Sequence, residues 1–262
     1  MSEAEESVVA RGLATLQRGI GIVRSAAIYR GQPWKRRRAL ALYREFIRPG
    51  DLCFDIGAHL GDRLGYFLAL GARVVAAEPQ PPLMAVLRRL YGRNLAVTLV
   101  PAALGAAPGE ATLRLDPLNP TVATLSRDWT ERLAASAAFA RVHWRKTLTV
   151  PVTTLDTLID RHGIPRFTKI DVEGFEGEVL AGLNHVLPAL SVEYVTASRE
   201  PALQALDRLA SLGTYAFNRS PGESLRLLHD RWLSAGEMAK ELRQLPAQAG
   251  SGDIYGRLAC GR

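Results

Sequence analysis

From Asp51 onward, short apolar runs alternate with longer amphipathic stretches, and this alternation limits most severely what the chain can fold into. Strands are expected at Leu52–Ile56, Val74–Ala77, Val97–Pro101, Phe167–Ile170 and Leu190–Tyr194, with helices near 61–70, 81–92, 176–187 and 200–212. Such alternation implies βαβ units, a mostly parallel sheet and a three-layer α/β/α sandwich, with Tyr215–Phe217 and Ile254–Leu258 as late strands. The stretch 105–150 breaks the rhythm and reads as an insertion. Its Pro117, Asn119, Pro120 and Ser126 suggest a loop, followed by a helix near 127–140.

A length of 262 residues suits one large α/β domain with a modest extension, and 47% hydrophobic residues argue against disorder. Two cysteines, Cys53 and Cys260, are too few for a disulfide framework. With no secretory signal and no charge-free apolar run long enough for a membrane span, a cytoplasmic location is expected.

The formal charge of +7 is unevenly placed. Residues 1–50 hold ten basic and four acidic residues, whereas the remaining 212 hold 23 basic and 22 acidic. The chain therefore divides into a basic helical extension, 1–50, and a near-neutral body, 51–262. In the extension, Val9, Leu13, Leu16, Ile20, Val23 and Ala27 share one helical stripe, and a second helix is expected from Trp34 to Ile47, opening on Lys35, Arg36, Arg37 and Arg38. The preferred reading is a helical cap with a solvated charged face. Peripheral membrane contact through residues 8–48, or association with nucleic acid, is the alternative. It calls for salt-sensitive binding to anionic vesicles or RNA that deletion of residues 1–50 abolishes.

The chemistry concentrates in the body. The first strand runs into Asp55-Ile56-Gly57-Ala58-His59-Leu60-Gly61-Asp62, a turn that opens a helix at the carboxyl end of the sheet, where ligands of such folds bind. Gly57 and Gly61 permit close approach of a ligand to the backbone, and the following helix start favours an anionic group. The glycines stand four apart and an acid precedes them, which is not a dinucleotide fingerprint. An acid beside an anion site suits a ligand with both an ammonium and a carboxylate, as at the amino-acid end of S-adenosyl-L-methionine. Twenty-three residues beyond Asp55, the second strand ends at Glu78-Pro79, where a carboxylate can accept bonds from both ribose hydroxyls. Lys169-Ile170-Asp171-Val172-Glu173-Gly174-Phe175-Glu176 then places clustered acids at the tip of the fourth strand. Glu176 and Glu178 fit a helix start, while Asp171 and Glu173 face the cleft.

Taken together these segments resemble the FkbM family of S-adenosylmethionine-dependent methyltransferases, a Rossmann-like class I branch. The carriers of the resemblance are Asp55 through Gly61, Glu78-Pro79-Gln80-Pro81, Ala103-Leu104-Gly105, Val150 through Asp156 and Lys169 through Glu176. The resemblance implies a Rossmann-like sheet with a late antiparallel strand and a cofactor site at Asp55, Gly57, His59, Gly61, Glu78, Pro79, Ala103 and Leu104. It also implies O-methylation of a hydroxyl on a sugar, polyketide or other small-molecule or glycan acceptor; nucleic acid is not the expected acceptor. His59 stands where the family usually has Asn. With an ordinary pKa near 6.5, it would make cofactor binding pH-sensitive, and His59→Asn would flatten that dependence.

Methyl transfer to a hydroxyl calls for a base: Asp171 is the first candidate and Glu173 the second. The same acids could instead hold a divalent cation that orients a diol, with His143 a weaker participant. No metal site is assigned. The acceptor pocket is expected from the basic arm and the 105–150 insertion.

Overall fold

A computed structural model describes residues 33–116, 122–134 and 142–259. The amphipathic stripe from Val9 to Ala27 lies outside the described residues. The elements, in chain order, are α1 (Pro33–Tyr43), β1 (Leu52–Ile56), α2 (Asp62–Ala69), β2 (Arg73–Ala77), α3 (Pro81–Tyr91), β3 (Val97–Val100), β4 (Ala103–Leu104), β5 (Gly109–Leu115), α4 (Arg127–Ala134), β6 (Lys146–Thr153), α5 (Leu155–His162), β7 (Phe167–Ile170), α6 (Glu176–Ala181), β8 (Ala189–Val195), α7 (Glu200–Leu212), β9 (Tyr215–Pro221), α8 (Ala235–Gln244) and β10 (Ser251–Leu258).

Seven strands form one sheet in the order β3-β2-β1-β7-β8-β10-β9. The first five are mutually parallel, and β10 runs antiparallel between β8 and β9. The chain builds outward from β1 through β2 to β3, then returns to lay β7 against the other side of β1. That reversal leaves a crevice above the carboxyl ends of β1 and β7, where a ligand is least obstructed by crossover helices. The register pairs Asp55 with Lys169 and Ile56 with Ile170.

Two apolar layers hold the sheet. One face packs Phe54, Ile56, Ile170 and Val192 against α5, α6 and α7, and the other packs Cys53, Val74, Ala76 and Phe167 against α1, α2 and α3. Helix α1 belongs to the second layer. Ala39, Leu42 and Tyr43, followed by Phe46 and Ile47, are buried, and the Tyr43 ring meets Phe67 edge-on with centroids 5.0 Å apart. Arg36, Arg37 and Arg38 face outward.

The 105–150 stretch is more ordered than a loop and a helix. Strand β6 pairs antiparallel with β5 and parallel with β4, giving a second, three-stranded sheet around Leu113 and Val150. Helix α4 follows at 127–134. Two further helices lie where no element was expected: α5, capped by the Thr154 hydroxyl accepting from Thr157 N–H at 3.0 Å, and α8, which opens on a capping box of Ser234 and Glu237. Helix α6 stops at Ala181 rather than 187. Its cap residue Gly182 lies so close to the Gly105 carbonyl that a Cβ would sit 2.3 Å away, so the chain turns there.

Candidate functional site

The crevice between β1, β2 and β7 opens into a cleft of about 1020 Å³, including the part open to solvent. The expected cofactor residues Asp55, Gly57, His59, Glu78, Pro79, Ala103 and Leu104 line it, as do Asp171 and Glu173. Gly61 alone stands behind the wall, where the Tyr91 hydroxyl donates to its carbonyl at 3.1 Å.

The glycine turn is held by backbone bonds and by two buried acids. Gly57 has φ +81°, and the N–H groups of Gly57 and Ala58 both donate to the Ala77 carbonyl, at 3.0 and 2.9 Å. A Cβ on Gly57 would lie 1.8 Å from the Asp171 backbone oxygen, so β1 and β7 approach closely only because this residue has no side chain. Asp55, 1% exposed, accepts the Leu64 N–H at 2.9 Å and so satisfies one of the open donors at the start of α2. Glu78, 3% exposed, accepts from His59 N–H at 2.9 Å with one oxygen and from Gln80 N–H at 2.8 Å with the other. Burial raises both carboxyls to about 7, although the bonds they accept oppose the shift.

His59 adopts φ +49°, a left-handed conformation that Asn and His tolerate better than most residues, which accounts physically for the exchange of one for the other. Burial lowers its pKa to about 4 against the pull of Asp171. The imidazole is therefore neutral above about pH 5, which corrects the expectation that His59 makes cofactor binding pH-sensitive near neutrality. The groups placed to titrate there are Asp55 and Glu78.

At the tip of β7 the acids part company. Lys169, fully buried, sets its ammonium 3.1 Å from Asp171 and 2.6 Å from Asp253. Burial pushes Asp171 up, but Lys169 and Arg63 outweigh it and hold the carboxyl below the ordinary range. Glu173, at φ +55°, is driven well above its ordinary value by burial and by Asp171 and Glu176. Glu176 accepts from the Val172 and Gly174 N–H groups at 3.1 and 3.2 Å, a helix-start role.

Carboxylate oxygens of Asp171, Glu173 and Glu193 lie within 4.8 Å of one another. Glu193 was missed in the sequence because it interrupts an otherwise apolar strand, Ser191-Val192-Glu193-Tyr194-Val195, whose charged position gives no sign of which face it takes. His143 is not in this group; its backbone N–H bonds Asp116 at 3.0 Å. The insertion does supply wall residues, Leu113, Ala123 and Leu125, but no residue of the described arm lines the cleft. Arg63 and Glu223, also missed, join α2 to the loop after β9 through a 3.0 Å ion pair.

The residues present fit S-adenosylmethionine. A glycine turn on the cleft wall, a carboxylate at the β2 tip and a second acid beside the α2 start suit its amino-acid and ribose ends. The family comparison agrees. The methyltransferase FkbM domain family matches residues 55–214. No curated protein sequence matches the chain. Among solved structures, the chain is similar to a precorrin-6y C5,15-methyltransferase from Geobacter metallireducens, at 14% identity over 86% of each chain and a TM-score of 0.45. A TehB-like SAM-dependent methyltransferase from Corynebacterium glutamicum gives 10% identity over 85% of this chain and 88% of that one, at 0.45. A 1,6-didemethyltoxoflavin-N1-methyltransferase from Burkholderia thailandensis, solved with S-adenosylhomocysteine, gives 15% identity over 99% and 92%, at 0.38. With the family matched across more than half of its length and the acid and glycine positions gathered around one cleft, the chain belongs to the FkbM family of S-adenosylmethionine-dependent methyltransferases.

Proposed function

We propose that this methyltransferase acts in the cytoplasm on a hydroxyl of an uncharged, polyhydroxylated acceptor such as a sugar, with polyketide hydroxyls as the nearest variant. The observation that carries the reading is the cluster of acids at the β7 tip. S-adenosylmethionine supplies an activated methyl group on a sulfonium. The acceptor oxygen forms the new bond to the methyl carbon as the carbon–sulfur bond breaks with its electrons going to sulfur, and the hydroxyl proton must leave. Glu173 is the better base. Burial and the neighbouring acids raise its carboxyl, so its ionised form would take up the acceptor's proton more readily than Asp171 would. Asp171, locked to Lys169, is a poorer proton acceptor and a better fixed charge.

Charge supports a neutral acceptor. The cleft is lined by six acidic side chains (Asp55, Asp62, Glu78, Asp171, Glu173, Glu223) and two cations, Arg63 and Lys169, both already engaged by acids. An anionic acceptor would find no cation among the described lining residues that an acid does not already engage. The test is transfer of labelled methyl from S-adenosylmethionine to panels of neutral, phosphorylated and amino sugars and to polyketide alcohols, with the methylated atom located by mass spectrometry. Label on oxygen of neutral acceptors is expected. Label on nitrogen or carbon, or preference for phosphorylated acceptors, overturns the reading.

The two buried cofactor acids set a pH dependence. In the ligand-free protein their raised carboxyls contribute stability that is fully present below about pH 4 and lost as pH rises through 7. A ligand whose ammonium and hydroxyls need both acids ionised binds with proton release. Affinity for S-adenosylhomocysteine should therefore fall about tenfold per carboxylate between pH 8 and pH 6. The same profile is expected for His59→Asn, because the imidazole is neutral throughout that range. Calorimetry in buffers of different ionisation enthalpy measures the proton release, and a flattened profile in His59→Asn would return the titration to the imidazole.

A further inference from the structure

The family match ends at residue 214, yet the chain beyond it still serves the cleft: Glu223 lines it, and Asp253 lies behind Lys169. Asp253 sits on β10, opposite Glu193 of β8 in the antiparallel register, and is 6% exposed. It does not line the cleft. Its Oδ1 takes the closest bond to the Lys169 ammonium, 2.6 Å, while its Oδ2 receives the Tyr255 hydroxyl at 3.4 Å. Lys169 and Asp171, by contrast, both line the cleft floor. A single buried ammonium is thus divided between a carboxylate that faces the ligand space and one behind it.

The division matters electrostatically. Were Asp253 uncharged, the ammonium would be balanced by Asp171 alone, and the pair would present no net charge to the cleft. With Asp253 ionised, the three groups carry one net negative charge, and the cleft side of the triad is the carboxylate. Arg63 from α2 and Tyr43 from α1 also face this centre, and Glu193 lies beside Asp171 from β8. Burial alone would strip the lysine of its proton, but the two aspartates reverse that and keep it charged.

We propose that Asp253 is a positioning residue for the methyl-donor site: by taking up the Lys169 ammonium from behind, it leaves the negative charge of Asp171 directed at the cleft, where it favours a sulfonium over a neutral thioether. The proposal rests on the assignment of this cleft to S-adenosylmethionine. It gives the tail strand β10 a part in distinguishing donor from product, and that part needs no contact with either.

The test compares the affinities of S-adenosylmethionine, a cation at sulfur, and S-adenosylhomocysteine, its neutral counterpart, by calorimetry at pH 8. In Asp253→Asn, and likewise in Asp253→Ser, binding of S-adenosylhomocysteine should stay within about twofold of wild type. The preference for S-adenosylmethionine should drop about fivefold to tenfold, the effect of one unit charge acting across about 12–17 Å at an effective dielectric of about 20. Circular dichroism confirms the fold of each variant. Equal weakening of both ligands or an unchanged preference in the two variants overturns the proposal. Absence of S-adenosylhomocysteine binding by the wild type would instead overturn the cleft assignment on which it rests.

Discussion

Replacing Gly57 by alanine is expected to destabilise the protein by more than about 4 kcal/mol and to abolish S-adenosylhomocysteine binding by whatever fraction stays folded. Two costs combine. The φ of +81° imposes a left-handed conformation on a residue with a Cβ, worth about 1–2 kcal/mol. The larger cost is steric, because the new Cβ would lie 1.8 Å from the Asp171 carbonyl oxygen and 2.9 Å from its carbon. Those are backbone atoms on a strand locked to β1 by register and by the Asp171 N–H to Ile56 carbonyl bond at 3.0 Å, so neither can move without parting β1 from β7. Gly61 makes a useful control. It has the same φ, but its Cβ would meet the ring edge of Tyr91 at 2.7 Å and a Leu87 methyl at 2.9 Å, side-chain atoms that can give way. Gly61→Ala should cost roughly 1–3 kcal/mol and leave measurable binding. Urea midpoints with calorimetry decide the matter, and equal losses in the two variants would show that the β1–β7 approach is not the constraint described above.

Glu173→Gln is expected to lower kcat by about 10²–10⁴ while leaving S-adenosylhomocysteine affinity within about threefold. The exchange is nearly isosteric and removes the proton acceptor only. Asp171→Asn differs in kind, because it takes one of two counter-charges from the fully buried Lys169 and should lower both stability and turnover. The assay is the labelled-methyl transfer described above. Turnover in Glu173→Gln within threefold of wild type would remove Glu173 from the chemistry.

Most of what positions the site was legible in the sequence because it lies in local patterns. Strands β1 and β7 fall where their apolar runs end, and α7 spans the expected 200–212, since both depend on residues adjacent in the chain. Asp55 and Glu78 could each be read from their places at strand tips. The second sheet was also written in the sequence and overlooked. Ala111, Leu113 and Leu115 alternate with Glu110, Thr112 and Arg114, and Leu148, Val150 and Val152 repeat the pattern, but Pro117, Asn119 and Pro120 between them drew the whole stretch into a loop. The division of labour between the two candidate bases was not legible. It depends on Lys169 lying 84 positions from Asp253 in the chain and 2.6 Å from it in space, and on surroundings that drive the two carboxyls in opposite directions, Asp171 down and Glu173 up. The same holds for His59, whose neutral state follows from its surroundings rather than from its type.

The cleft above β1, β2 and β7 is expected to bind S-adenosylmethionine through its buried acids. The most direct measurement is titration of the wild-type protein, Asp55→Ala and Glu78→Ala with S-adenosylhomocysteine at pH 8. Glu78 holds the His59 and Gln80 N–H groups as well as facing the cleft, and Asp55 holds the Leu64 N–H, so each loss combines a ligand contact with a loosened turn. One-to-one binding by the wild type is expected, weakened at least about tenfold in each variant, since a hydrogen bond to a charged group is worth about 1.5–3 kcal/mol. No binding heat from folded wild-type protein, or wild-type affinity in both variants, would contradict it.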